Sequence, residues 1–162
     1  MEDPLEFRQN KCSTKAKKIF STTINISFDL WYDKHYHDRH QHGDANGKRD
    51  GINPDIVEKL VRKSVKYLIM SGALVKGFSF INSPSSQPPL RVVLRDSGIE
   101  ETLNVVIEAH LISPSNFEIT VKTAMLTDEF RVSTGQYLID FQQDDVILKK
   151  FDNKIFTEIL NF

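Results

Sequence analysis

Thr102-Leu103-Asn104-Val105-Val106-Ile107-Glu108-Ala109-His110-Leu111-Ile112, then Ser113-Pro114-Ser115, then Asn116-Phe117-Glu118-Ile119-Thr120-Val121-Lys122-Thr123-Ala124 is the stretch on which the fold class turns. Its two outer segments alternate at period two, the signature of half-buried strands. In the first, Leu103, Val105, Ile107, Ala109 and Leu111 share a face and Asn104, Glu108 and His110 share the other. In the second, Phe117, Ile119 and Val121 oppose Glu118, Thr120 and Lys122. The Ser-Pro-Ser turn between them predicts an antiparallel meander. Working outward, Leu90 to Arg95 alternates in the same way, with Leu90, Val92 and Leu94 on one face. Residues 82–89 are rich in proline and serine and read as a loop, and Leu74 to Ile81 reads as a further strand. On the C-terminal side, Tyr137 to Phe141 and Val146 to Phe151 suggest a hairpin. Phe151, Ile155, Phe156, Ile159 and Leu160 fit a short closing helix.

Before the strands comes the chain's clearest helix. Asn53 is a good N-cap, and Pro54 suits the first helical position, where its missing N–H is not needed. Asp55 and Glu58 place negative charge at the positive end of the dipole. Ile56, Val57, Leu60, Val61, Val65, Leu68 and Ile69 make one buried stripe, and Gly72 is a plausible stop. Leu30 to His40 also suits a helix, anchored by Leu30 and Trp31 and broken at Gly43 to Gly47. Thr23 to Phe28 reads as a strand or an extended lead-in, and residues 1–22 as an arm, a short helix or a disordered tail. The expected architecture is therefore α+β, with N-terminal helices packed on one face of an antiparallel sheet of four or more strands. At 162 residues this is one domain, with its core within residues 23–162.

Composition narrows the class. Hydrophobic residues at 40% and charged ones at 27% argue against disorder throughout. No apolar run reaches the roughly 18 residues of a membrane span, and Met1-Glu2-Asp3-Pro4 lacks the basic start of a signal peptide. A single cysteine, Cys12, excludes an internal disulfide and a cysteine-based zinc site, so a reducing cytoplasm is the expected compartment. The net charge of −1 hides an asymmetry. Lys59, Arg62, Lys63, Lys66, Lys76, Arg91 and Arg95 follow one another with no acidic residue between them. From Asp96 onward, acids outnumber bases twelve to five. Such a block either solvates a surface or presents a basic face to a polyanion.

Four of the five histidines, His35, His37, His40 and His42, fall within eight residues. Imidazole serves as acid, base or metal ligand near neutral pH; a histidine-rich helix end can equally be a solvated surface. Arg39, Lys48 and Arg49 add fixed positive charge nearby. If its polar side is open, the sheet can add Arg91, Arg95, His110 and Lys122 to the same cleft. Metal-independent RNA cleavage needs such parts: a base for the ribose 2′-hydroxyl, an acid for the leaving 5′-oxygen, and cations for the phosphorane. The spacings of Asp33 with His37, His37 with His40 and Asp38 with His42 also suit a metal, but no third ligand is evident, and no metal or other cofactor is expected. No nucleophile elbow and no glycine-rich phosphate loop is present.

Lys34-His35-Tyr36-His37-Asp38-Arg39, followed by Arg49-Asp50-Gly51-Ile52 and Val57-Glu58-Lys59-Leu60, resembles the motif of the phage early-transcript endoribonucleases. These belong to the RelE-like group within the barnase–EndoU–colicin–RelE fold. The resemblance covers about residues 33–62. It implies two N-terminal helices on a four-stranded antiparallel sheet and metal-independent cleavage of RNA. His35 takes the place of the catalytic histidine, and Asp38-Arg39 of the pair that follows. The sequence departs from the pattern at Arg62, where the family has a second histidine, and residues 41–48 are additional. The expectation is a phage or toxin-type endoribonuclease. Its catalytic residues would be His35, Arg39, Arg49 and His110. RNA would be bound by His37, His40, Lys48, Arg62, Arg91, Arg95 and Lys122. A host protein or a cognate inhibitor is a further expected partner, and a membrane is not. The alternative is a non-catalytic protein that binds a host protein or nucleic acid through its basic face.

Overall fold

The computed structural model describes residues 7–9, 16–17, 27–33, 52–83, 88–98 and 101–162. Within them lie one helix and ten strands: β1 (Phe7–Arg8), β2 (Ala16–Lys17), β3 (Ser27–Tyr32), α1 (Pro54–Leu74), β4 (Ile81–Asn82), β5 (Val92–Asp96), β6 (Leu103–Ser113), β7 (Asn116–Leu126), β8 (Tyr137–Phe141), β9 (Val146–Asp152) and β10 (Ile155–Asn161). β1 and β2 form a small antiparallel pair. The other eight strands make one sheet, ordered β10-β9-β8-β5-β6-β7-β3, with β4 beside the far end of β6.

The α+β expectation of several N-terminal helices on an antiparallel sheet is overturned. The protein is mostly β, its sheet is mixed, and α1 is the only helix among the described residues. β3 runs parallel to β7, β4 to β6, and β5 to β8. The helix expected from Leu30 begins instead as strand: Leu30 faces the core while Trp31 is 54% exposed on the opposite face. That alternation belongs to a strand, not to a helix turn. The rest of that expected helix, to His40, lies outside the described residues. The expected closing helix is β10, because Asn153 and Lys154 both adopt positive φ and turn the chain straight back on β9. The expected strand from Leu74 to Ile81 shrinks to β4, since α1 continues past Gly72 to Leu74.

The helix is built as its sequence predicts. The Asn53 side chain accepts the amide of Asp55 at 2.9 Å, and Pro54 opens the first turn. Ser64 and Ser71 lie on the buried side without cost, because their hydroxyls donate to Leu60 O and Tyr67 O one turn back. Val57, Leu60, Val61 and Leu68 pack on the first face of the sheet, against Val92, Leu94, Val105, Ile107, Ile139 and Leu148. Each such side chain contributes about 1.5 to 3 kcal/mol on leaving water. Tyr67 meets Phe141 and Phe162 edge-on at 5.5 and 5.0 Å, closing the end of this layer.

The second face is only partly covered. In the sheet order, the chain must cross β6 and β5 to get from β7 to β8. The connecting residues do so with Phe130 and Val132 packed over Val93, Val106 and Leu138. A register shift between Val106 and Ile107 leaves Lys122 as an extra residue on β7. Beyond this bulge the buried parity moves from Phe117, Ile119 and Val121 to Ala124.

Candidate functional site

Strand register sets a row of side chains across the uncovered part of the second face. Trp31 of β3 stands beside Thr120 of β7, and Thr120 beside Glu108 of β6. One step beyond the Val92–Ile107 pair, Arg91 reaches the same carboxylate. Its Nε lies 3.8 Å from Glu108 Oε2, while His110 Nε2 lies 3.3 Å from Oε1. The Glu108 side chain is mostly buried by its neighbours, whereas Arg91 and His110 remain over two-fifths exposed. A carboxylate thus lies within ion-pair distance of an imidazole and a guanidinium, two groups suited to proton transfer and charge stabilisation at a phosphate. A cleft of about 610 Å³ opens next to Arg91, walled by Pro88 to Val92 on one side and Thr134 to Tyr137 on the other.

Flanking rows complete the face. Lys122 Nζ is 2.7 Å from Asp33 Oδ2, and Glu118 lies between Asp29 and His110. Four carboxylates (Asp29, Asp33, Glu108 and Glu118) therefore share this surface with two fixed cations. Tyr32 points the other way, towards the start of α1. Burial, and then the nearby carboxylates of Glu58 and Asp55, push its phenol above the ordinary tyrosine value.

The residues expected to act together are only partly assembled. Arg91 and His110 share Glu108, and Lys122 stands on the same face. Arg95 is on that face too, but beyond the cover of Val132: its Nε donates to Asn104 Oδ1 at 2.9 Å, and its guanidinium lies 5.6 Å from the Phe156 ring centre. Arg62 is on the helix layer, on the other side of the sheet, paired with Glu58 at 2.9 Å. The single basic face is thus divided, with Lys59, Arg62, Lys63 and Lys66 on α1 and Arg91 and Arg95 behind the sheet. His35, His37, Arg39, His40, Lys48 and Arg49 lie outside the described residues. Among the described residues, no group of three or more metal-ligating side chains is drawn together, and no helix is long and apolar enough to cross a membrane.

Sequence reasoning missed Glu108, Thr120 and Trp31. The signal for Glu108 was present, since its alternation already placed it beside His110 on the polar face. Trp31 was hidden by the helical reading of its segment. No family model, no curated protein and no solved structure matches the chain.

Proposed function

We propose that the protein cleaves RNA, by attack of a ribose 2′-hydroxyl on the adjacent phosphate to leave a 2′,3′-cyclic phosphate. The observation that carries this reading is the sharing of Glu108 by His110 and Arg91 on an open sheet face. In it, Glu108 orients His110, which transfers a proton at one side of the phosphorus, and Arg91 meets the charge that develops on the equatorial oxygens. The exposed Trp31 ring in the same row offers a stacking surface for a base, and the neighbouring cleft has room for a nucleotide. His35 supplies the second proton-transfer group, a role supported by the motif resemblance. The carboxylate of Asp33, two residues before His35 in the sequence, is paired with Lys122 on this face. By the same resemblance, Arg39 and Arg49 supply positive charge for the phosphate. The setting would be the cytoplasm, that of the host if a phage encodes the chain.

The test is incubation of the purified protein with total RNA in EDTA, alongside His35→Ala and His110→Ala, with analysis of the fragment ends. Discrete cuts ending in cyclic phosphate, reduced about a hundredfold or more in each variant, are expected. Full cleavage by a folded His110→Ala variant would remove His110 from the mechanism. No cleavage by the wild type, with or without added magnesium, would overturn the reading.

A second reading rests on α1. Lys59, Arg62, Lys63 and Lys66 stand exposed along it, on the side away from the acid-rich face. They suit binding without catalysis. If the bound partner is a nucleic acid, affinity falls steeply as salt rises, because phosphate contacts release counterions. A flat salt response would point to a host protein.

A further inference from the structure

β10 is the outermost strand of the large sheet, and among the described residues nothing pairs with its free edge. The phase of the ladder identifies the unmet backbone groups. Phe151 of β9 donates to Gln136 O and accepts from Gly135 N, so its peptide groups face β8. Those of Lys150 and Asp152 must then face β10, where they meet Thr157 and Ile155. The N–H and C=O groups of Phe156 and Glu158 are left pointing away from the sheet. Ile155, Phe156 and Ile159 along this edge are 64%, 40% and 37% exposed. The strand holds no proline and no lysine, the residues that most often blunt an edge.

We propose that this edge pairs with the same edge of a second copy of the chain, antiparallel about a two-fold axis at Thr157, joining two sheets into one. Pairing centred there sets Phe156 opposite Glu158 of the second copy, and the reverse. These are the residues whose backbone groups point outward, so each pair can exchange both of its hydrogen bonds. Thr157 meets its own counterpart, a favourable cross-strand match. In this register Glu158 lies two positions from Lys154 of the second copy, the turn residue that precedes β10, and equally two positions from that copy's Glu158, so two attractions stand against one repulsion. The exposed Ile155, Phe156 and Ile159 of both copies flank the junction. A register shift between Glu158 and Leu160 ends the regular run and confines the contact to this segment. Any antiparallel strand could meet the outward backbone groups; the net charge attraction, and the exposed apolar side chains that both copies bring to the junction, are why a second copy fits this edge better than an unrelated strand.

Sedimentation velocity of the full chain across roughly 1 to 100 µM tests the proposal. The wild type is expected to dimerise reversibly, Glu158→Lys to weaken the dimer about tenfold or more, and Lys154→Glu combined with Glu158→Lys to recover most of the loss. Circular dichroism checks that the variants remain folded. A wild type that stays monomeric throughout overturns the proposal. So does a dimer that neither Glu158→Lys nor Ile155→Lys weakens, because its contact then lies elsewhere.

Discussion

His110 stands two residues beyond Glu108 on the same strand, and its Nε2 lies 3.3 Å from the Glu108 carboxylate. On the other oxygen of that carboxylate sits Arg91. One anion therefore lies within ion-pair distance of both the titratable group and the cation of the candidate site. Glu108→Gln keeps the shape and removes the charge. RNA cleavage is expected to fall about tenfold to a hundredfold, while stability changes by under about 1 kcal/mol, since both partners are substantially exposed. Parallel cleavage assays and thermal melts check this. A large loss of stability with cleavage retained would make the cluster structural.

Asp140 and Lys149 form a pair of a different kind. Their contact is 2.9 Å, and their side chains are 6% and 16% exposed, on the same face of the sheet as Arg95, the register partner of Asp140. Removing one partner strands a buried charge. Lys149→Met is expected to cost about 3 to 5 kcal/mol, and Asp140→Leu combined with Lys149→Met to recover much of it. Denaturant titration of the single and double variants measures the coupling; additive losses would mean that the pair is not coupled.

Leu68 is fully buried between α1 and the sheet. Leu68→Ala is expected to lower unfolding free energy by about 2 to 5 kcal/mol without changing RNA cleavage at subdenaturing temperature, because the cavity opens on the face away from Glu108. Chemical denaturation and a single-temperature assay separate the two effects.

Partial burial, with the carboxylates of Glu58 and Asp55 adding to it, pushes the Tyr32 phenol above its ordinary value. In the unfolded chain it ionises near pH 10; in the fold it does so higher. The contribution is fully present below the unfolded value and is lost as pH rises through the folded one, so stability declines above about pH 10. Tyr32→Phe should make that alkaline decline shallower. Melts in a series of alkaline buffers, with a phenolate absorbance titration, decide it.

How far the sequence carried the fold depends on the range of the interaction. Asn53, Pro54 and the stripe from Val57 to Leu68 specify α1 within one turn of each residue, and the alternation in β6 and β7 is equally local. Those features were legible. Phe151, Ile155, Phe156, Ile159 and Leu160 mimic a helical period, and only the positive φ of Asn153 and Lys154 turns them into a hairpin. Neither residue is the glycine that would have announced it. The parallel partners of β3 and β5 lie far along the chain, and no local pattern encodes such pairings. For the site, period two placed Arg91, Glu108, His110 and Lys122 on one face. It could not show that Val132, on a distant connection, would part Arg95 from them.

The parallel union of β3 with β7 has a consequence for how the chain is made. β3 leaves the ribosome long before β7, the strand that pairs with it among the described residues, and until β7 exists Phe28 and Leu30 lack that sheet to join. Three later strands and α1 must emerge first. The nascent chain therefore carries an unsheltered strand through most of its synthesis, a span in which a chaperone, or the wrong neighbour, can reach it.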